Sequence, residues 1–506
     1  MFKKNLANLV VVLSLLLSLG LSVANAAPPA QEEELTYTVK LGDNLWTLAE
    51  KYLGSGPAYH AIVAATNLKK LQDPSFAKIR NPDLIHPGWK FLIPSPEEAE
   101  VLTAAWYAGA KMKIAVVSDI GGRGDLSFND MAFKGGEDAG RDFGVKMVEL
   151  ISKVEADYVP NLTVAAEDPD VQLIVGVGYL LSDALAEVAR KYPDKNFAGI
   201  DTFSQFIVLD KYPDEYPLPN LIDFVYEEHK GSAMVGALGA LLAAAYDKPH
   251  IGGVFGIEIP VLWKFEIGYK WGARWATEWL KENKPEEAFD YTKDFVLWTY
   301  TGTFSDITKG YEAAKPMYAK DAVTVYNIAG PLGLGINQAV AEIAEEKGLK
   351  SGPPFWTGVD ADQDYINPGF VIASMMKRVD WGVYFSTKLV TTGTFRDLVQ
   401  ETNGNIVLGI GTRTAGDLME GISVSTLDDL EEFIEMAVRA EELTGKKVLT
   451  MPPAEIAAKV KEMRDAQPAW VWEGMAELAR QIRAGEVEVP MVMTEEDITK
   501  WRDELG

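Results

Sequence analysis

In two distant segments of this sequence, a predicted buried strand ends in polar groups that could bind a small ligand. The first is Lys113–Asp119, which is followed by a glycine turn and the polar stretch Asp125–Asn129. The second is Pro354–Asp360, which is followed by a further strand, Val371–Lys377. In open α/β sheets, ligands bind at the carboxyl ends of the strands, where loops and helix N-termini converge. The pattern therefore predicts a small-ligand site to which both segments contribute.

Motifs for metal, phosphate and hydrolytic chemistry are incomplete. Asp360, Asp362 and Asp364 have the spacing of an EF-hand start, but Tyr365 replaces the required glycine and Val371 the required glutamate. The glycine-rich turn after the first strand lacks the Gly-Lys-Ser/Thr of a phosphate-binding loop. The four histidines are not spaced along the sequence as metal ligands would be. The glycine-flanked serine that is typical of hydrolases is missing. The sequence predicts a binding protein that is not an enzyme and uses neither metal nor cofactor.

Charge and composition exclude several partners. The chain has 506 residues, a formal net charge of −26 and no cysteine. A surface with this much negative charge repels phosphate backbones and anionic lipid. We therefore expect no nucleic-acid partner. The lack of cysteine removes disulfides, thiolate metal sites and lipid attachment through an N-terminal cysteine. The length favours about two to four folding units.

The N-terminus has the pattern of a secretory signal. Lys3 and Lys4 precede a largely apolar run over residues 6–21, and small residues at 24–26 offer a cleavage site. The run is short for a membrane-spanning helix, so we expect a signal peptide over residues 1–26 rather than a retained anchor. The predicted location is the periplasm or the cell wall, with the mature chain soluble after cleavage.

From residue 113 onward, predicted strands alternate with amphipathic helices. Alternation of this kind indicates parallel sheets with helices on both faces, and so many strands suit two sheets better than one. Strand count and length together predict two α/β lobes with a ligand cleft between them. The residues from 427 onward are predicted to be helical and to pack structurally. The strand candidates are 114–117, 171–175, 197–200, 222–226, 251–255, 295–300, 323–328, 355–359, 371–375 and 406–410.

A smaller unit over residues 35–96 reads strand, helix, helix, strand. Its start, Tyr37–Trp46, and its end, Asn81–Gly88, resemble a LysM module, a domain that binds N-acetylglucosamine polymers such as peptidoglycan. Residues 68–80 look like an insertion. The alternative is a structural spacer without glycan contact. The resemblance implies a glycan groove between two loops, formed by Gly42, Asp43, Asn44 and Leu45 on one side and Leu84 and Ile85 on the other.

Six dispersed motifs occur in the order typical of the basic membrane protein family, whose members are substrate-binding proteins of ABC transporters and include purine nucleoside receptors. They are Gly121–Asn129, Phe255–Pro260, Tyr300–Asp306, Ala329–Gly333, Gly358–Gln363 and Ser374–Asp380. The resemblance spans residues 111–491 and leaves 492–506 as an acidic tail. It implies a type I periplasmic-binding-protein fold with interleaved lobes, about 111–228 and 229–368, and crossings near 227–231, 369–377 and 392–395.

The resemblance also implies which residues hold the base of a nucleoside. Phe128 and Phe304 would stack on the two faces of the base. Asn129 and Asp201 would read its polar edges. The alternative for both phenylalanines is a place in the core. Trp263, a bulky residue in the segment 259–265, is expected to line the cleft, which would favour a ligand other than a standard purine nucleoside.

Four further positions are implied for the sugar side. Asp360 would accept hydrogen bonds from the two ribose hydroxyls, and Lys377 would donate to the sugar. Gly330 would let the backbone approach the ligand closely, and Asp119 would orient the neighbouring loop. The alternatives are that Asp360 caps a helix and that Lys377 lies on the surface.

These inferences predict the solute-binding protein of an ABC importer, which captures a nucleoside for a permease and is held near peptidoglycan by its LysM module. Two other functions remain open at this point. One is a LysM-anchored cell-wall hydrolase, for which Asp360 with Asp119 or Asp201 would be the carboxylate pair. The other is a sensor that passes closure of the cleft to a membrane receptor.

Overall fold

The computed structural model describes residues 35–414, 417–418 and 420–506. The predicted signal peptide at 1–26 lies outside the described residues. Over the described ranges, none of the helices is both long enough and apolar enough to cross a membrane.

The strands and helices follow one another as the sequence pattern predicts over most of the chain. The strands are β1 (Leu35–Thr38), β2 (Lys90–Ile93), β3 (Lys113–Ser118), β4 (Lys146–Ile151), β5 (Val171–Val177), β6 (Asn196–Ile200), β7 (Leu221–Tyr226), β8 (His250–Phe255), β9 (Val296–Tyr300), β10 (Ala322–Ile328), β11 (Phe355–Asp360), β12 (Val371–Lys377), β13 (Asn405–Leu408), β14 (Arg413–Thr414), β15 (Asp417–Leu418) and β16 (Ile422–Val424). The helices are α1 (Leu45–Leu53), α2 (Tyr59–Lys70), α3 (Pro96–Gly109), α4 (Phe128–Phe143), α5 (Tyr158–Glu167), α6 (Ser182–Lys191), α7 (Ser204–Lys211), α8 (Glu228–Ala245), α9 (Pro260–Asn283), α10 (Ile307–Ala319), α11 (Leu332–Lys347), α12 (Val379–Thr392), α13 (Phe395–Thr402), α14 (Leu430–Thr444), α15 (Pro453–Asp465), α16 (Ala469–Ala484) and α17 (Glu495–Leu505).

The N-terminal unit is a two-stranded antiparallel sheet, β1 with β2, on which α1 and α2 pack. Asn44 caps α1, because its side chain accepts a hydrogen bond from the backbone amide of Thr47. Leu48, Ile62 and Phe91 are among the residues of its small core. The predicted βααβ arrangement is confirmed.

Two larger sheets form the two lobes. The first has the order β13-β7-β6-β5-β3-β4, and all its pairings are parallel. The second has the order β16-β12-β11-β10-β8-β9, in which only the edge strand β16 is antiparallel. Buried parallel strands read as continuous apolar runs, which is the pattern over residues 114–117 of β3. The predicted fold of two parallel-sheet α/β lobes is confirmed.

The chain passes between the sheets three times. It leaves the first sheet after β7, returns to it after β12, and joins the second sheet again at β16. The third passage therefore lies between Leu408 and Ile422, whereas the sequence placed it near 392–395. The reason is that β13 still pairs with β7 of the first sheet, so the chain stays in the first lobe until Leu408.

The LysM unit docks on the first lobe and on α14 instead of standing apart from them. The side-chain amide of Asn67 donates to Asp142 Oδ1 at 2.9 Å, and Lys78 Nζ lies 3.1 Å from Asp138 Oδ2. Arg80, from the same insertion, contacts Glu435 of α14. The insertion at 68–80 thus supplies part of the contact surface that holds the domain in place.

Candidate functional site

One cavity lies between the two lobes at the carboxyl ends of their central strands. Its volume is about 90 Å³, which is room for several waters or part of a small solute. The structure brings all the predicted ligand residues to this cavity. They are Asp119, Phe128, Asn129, Asp201, Phe304, Gly330, Asp360 and Lys377.

An aspartate from each lobe faces the cavity from the end of a strand. Asp201 follows β6 with a φ of 60°, and Asp360 ends β11 with a φ of 63°. This left-handed region is unfavourable for most side chains but is visited by aspartate. Lys377 Nζ lies 2.5 Å from Asp201 Oδ2, so an ion pair joins the second lobe to the first across the cleft.

Three acceptor atoms at the cavity have no hydrogen-bond partner: Asn129 Oδ1, Asp201 Oδ1 and Asp360 Oδ1. The three residues are only 2%, 4% and 8% exposed, so bulk water does not satisfy these atoms. A buried polar atom left unpaired costs roughly 1–3 kcal/mol. These three atoms can accept hydrogen bonds from whatever occupies the cavity.

The amide of Asn129 is held in one orientation by two carboxylates. Its nitrogen donates to Asp119 Oδ1 at 2.9 Å and to Asp125 Oδ2 at 3.0 Å. Asp125 also accepts the backbone amide of Asn129 at 2.8 Å and that of Ser127 at 3.0 Å. With the nitrogen engaged, Asn129 has its carbonyl oxygen left for a ligand. Sequence reasoning missed Asp125, although it stands in the same Asp-x-Ser-Phe-Asn motif.

Aromatic side chains form the apolar part of the cavity wall. Phe128 begins α4 and Phe304 lies in the loop after β9, and both are half-buried beside the cavity. A Cβ atom at Gly256 would lie 2.3 Å from the ring of Phe304, so the glycine makes room for that ring. Lys377 Nζ lies 5.1 Å from the centroid of the Phe128 ring, within the range of a cation–π contact. The two rings line the cavity on one side and pack against the edge of the hydrophobic core on the other.

Comparison with known proteins decides the family. Residues 111–412 match the model of the Bmp family, described as ABC transporter substrate-binding protein PnrA-like, and residues 37–94 match the LysM domain model. This chain belongs to the Bmp family of ABC transporter substrate-binding proteins. The family is not catalytic, which sets aside the cell-wall hydrolase alternative.

Individual relatives agree with the Bmp assignment. A lipoprotein of Pyrococcus horikoshii is 35% identical over 75% of this chain and 84% of its own length. The ABC transporter nucleoside-binding protein BmpA of Lactococcus lactis is 27% identical over 60% of this chain and 83% of its own. The crystal structure of an ABC transporter solute-binding protein from Aeropyrum pernix has a TM-score of 0.65 and 29% identity, covering 78% of this chain and 97% of its own. The lobes of this Bmp protein have the type I periplasmic-binding-protein fold.

The expectation that Trp263 lines the cleft is wrong. Trp263 lies in α9 and packs against Ile498 and Leu505 of the C-terminal helix α17. Other residues of the same helix, Leu262 and Phe265, line the cavity instead. Successive residues of a helix point in different directions, and the sequence did not reveal that α17 covers the face that carries Trp263.

The residues of the two predicted glycan-binding loops of the LysM domain are exposed or half-buried, except Leu45. Gly42 has a φ of 92°, and the carboxylate of Asp43 accepts hydrogen bonds from Tyr37 Oη and from the backbone amide of Lys40, both at 2.7 Å. Asn44 and Leu84 are exposed and Ile85 is half-buried. The side chain of Leu45 is only 3% exposed because it belongs to the LysM core. Because its side chain is buried, Leu45 could contribute to the predicted glycan groove only through its backbone.

Burial perturbs the acidity of the cavity carboxylates in this Bmp protein. It raises the pKa of Asp360 to about 7 and that of Asp201 to about 6, although the ammonium of Lys377 works against both increases. Burial disfavours the charge of Lys377 as well, but Asp201, Glu228 and Asp360 together raise its pKa. Lys377 therefore stays protonated, while Asp360 changes its charge near neutral pH.

We expect the affinity for a hydroxyl-bearing ligand to fall as the pH drops below about 7. The ionised carboxylate of Asp360, with its pKa of about 7, is the better acceptor, so affinity is highest above this pH and is lost as Asp360 takes up a proton. The neighbouring charged groups are Asp125, Asp201, Glu228 and Lys377. Calorimetric titration across this range should show affinity falling at most roughly tenfold per pH unit.

The matched variant for this test is Asp360→Asn, which cannot ionise and should bind more weakly with a flatter pH profile. A wild-type affinity that does not change with pH would contradict the assignment of Asp360.

Proposed function

We propose that this protein captures a nucleoside, with purine nucleosides favoured, and delivers it to the permease of an ABC importer. The observation that carries the proposal is the set of three buried, unpartnered acceptors beside two aromatic rings and one ammonium. A nucleoside combines a flat base, N–H donors on the base and a pair of ribose hydroxyls. Few other small solutes combine a stacking surface with donors at both ends.

The base side would be held by stacking and by acceptors. Phe128 and Phe304 would contact the faces of the base, and stacking of this kind is worth roughly 1–3 kcal/mol per base. Asn129 Oδ1 and Asp201 Oδ1 would accept hydrogen bonds from N–H groups on its edge. Each of these acceptors is already fixed by neighbours, so little ordering is needed when the ligand binds.

The sugar side would be held by Asp360 and Lys377. Asp360 Oδ1 would accept from the vicinal hydroxyls, while Lys377 would donate to a sugar oxygen. Gly330, with a φ of 48°, would bring the backbone close to the ligand. The surplus of carboxylates over ammonium groups at the cavity disfavours a phosphate, so we expect nucleosides to bind and nucleotides to be rejected.

The printed name of the Lactococcus lactis relative, a nucleoside-binding protein, supports this ligand class. The same motif residues that imply a nucleoside pocket meet at one cavity of this chain. Import rather than sensing is proposed because the family consists of ABC transporter components.

We further propose that the protein is exported and held at the cell wall by its LysM domain. The Pyrococcus horikoshii relative is named a lipoprotein, whereas this sequence contains no cysteine to carry a lipid. Binding of the LysM loops to peptidoglycan would provide the attachment that a lipid provides elsewhere. This proposal rests on the LysM match at residues 37–94 and on the exposure of its loops.

Thermal-shift screening of the mature protein against nucleosides, bases, sugars and nucleotides tests the ligand class, because a ligand that binds only the folded form raises Tm. Phe128→Ala should then weaken nucleoside binding about five- to 150-fold in calorimetry, since it removes one stacking partner.

Phe206→Ala is the control for Phe128→Ala, because Phe206 is also half-buried in the first lobe but does not line the cavity. It should leave nucleoside affinity unchanged. The ligand proposal would be contradicted if no nucleoside shifts Tm, and the stacking role if both alanine variants bind like the wild type.

Leu84→Asp should reduce pull-down of the protein by insoluble peptidoglycan about fivefold or more, because loss of one apolar contact at an interface costs about 1 kcal/mol or more. Leu84 is 57% exposed, so its substitution should not affect folding. Val101→Asp, at a residue of α3 that is 51% exposed, is the matched control. Equal pull-down of both variants and of the wild type would argue against glycan binding by this loop.

A further inference from the structure

A line of buried charges continues behind the cavity wall, away from the ligand. Lys377 Nζ lies 3.0 Å from Glu228 Oε1, and the other carboxylate oxygen of Glu228 contacts Lys264 Nζ. Lys264 Nζ also donates to the backbone carbonyl of Tyr226 at 2.9 Å. Glu228 is fully buried and Lys264 is only 2% exposed, and neither lines the cavity. They are therefore placed to act on Lys377 and not on a ligand.

The contacts of the Lys377 ammonium suggest what this arrangement does. A lysine ammonium has three N–H donors. One of them donates to Asp201 Oδ2 at 2.5 Å. Glu228 Oε1 lies 3.0 Å from the nitrogen and attracts its charge without accepting a hydrogen bond, so N–H donors remain for an oxygen of the ligand. We propose that Glu228 is a positioning residue that aims Lys377 at the ligand and is itself held in place by Lys264. The proposal rests on the proposed function of the cavity.

The position of Glu228 in the chain distinguishes it from Asp201. Glu228 begins α8, just after the chain first leaves the first sheet, and Lys377 ends β12, just before the chain returns to it. Both residues therefore lie at the second-lobe side of the crossings, whereas Asp201 belongs to the first lobe. Separation of the lobes parts Lys377 from Asp201 but not from Glu228. Glu228 thus keeps the ammonium in position while the cleft is open.

The charge of Glu228 should also be visible in the pH dependence of binding. Asp360 is faced by the charges of Asp125, Asp201, Glu228 and Lys377, and the negative charge of Glu228 is one of the causes that raise its pKa. Removal of that charge makes Asp360 easier to ionise. The pH at which affinity falls by half should then move to a lower value.

The test uses the full mature chain with the substitution Glu228→Gln, which keeps the shape of the side chain and removes its charge. Inosine is the probe, and calorimetric affinity is measured between about pH 5 and pH 9. We expect inosine affinity to fall about 10- to 100-fold, the range seen when a partner that orients a metal-binding side chain is removed. We also expect the pH midpoint to move down. Unchanged affinity with an unchanged midpoint would overturn the proposal.

Glu266→Gln is the matched control for a merely structural effect. Glu266 is also fully buried and paired with a lysine, Lys270 Nζ at 2.8 Å, in the same lobe, but it does not line the cavity or contact Lys377. This variant should lose stability without losing inosine affinity. Equal losses of inosine affinity in both variants would overturn the positioning role of Glu228.

Two further measurements keep the result open to contradiction. If Glu228→Gln does not fold, Lys264→Gln takes its place, and it should weaken inosine binding by a smaller factor; unchanged affinity in that variant overturns the proposal.

The wild type is titrated with inosine, guanosine and adenosine first. If the wild type binds none of these nucleosides, the proposed function fails. If the wild type binds and Glu228→Gln binds equally well, the proposed function stands and only the positioning role of Glu228 fails.

Discussion

The cavity depends on one buried ammonium, that of Lys377. A charge in the protein interior is unfavourable unless opposite charges and hydrogen bonds surround it. Here Asp201 and Glu228 lie within ion-pair distance, and Asp360 adds to the negative potential around the nitrogen. Because these carboxylates come from both lobes, the pairing that makes the ammonium tolerable also brings the lobes together.

The carboxylates are in turn only partly satisfied. Asp201 and Asp360 each keep one oxygen without a partner, and both adopt backbone conformations that few side chains tolerate. Unpaired acceptors and backbone strain both lower stability, so the site is stabilised by packing elsewhere in the lobes. A ligand with matching donors would remove part of this unfavourable contribution.

Much of the architecture could be predicted from the sequence, because buried parallel strands appear as apolar runs that end in polar residues. Two of the four edge strands of the larger sheets carry a weaker signal and were missed: β4 has only exposed and half-buried positions, and β16 has only three residues. Eight of the residues that line the cavity were implied by the resemblance of their motifs to the Bmp family. Glu228 and Lys264 were not. Lys264 stands inside an apolar helical stretch, which was a signal that could have found it, whereas Glu228 begins α8 beside His229 and Lys230 and carries no such signal. Long-range packing hid the surroundings of Trp263, since helix α17 that covers it lies more than two hundred residues away in the chain.

The docking of the LysM domain has a geometric consequence for the proposed attachment to the cell wall. A domain joined by a flexible linker would let the lobes explore a volume set by the length of that linker. Asn67, Lys78 and Arg80 instead fix the LysM domain to the first lobe and to α14. Attachment to a glycan strand would then set the direction in which the mouth of the cleft points. The orientation of the receptor, and not only its location, would follow from where the wall polymer runs.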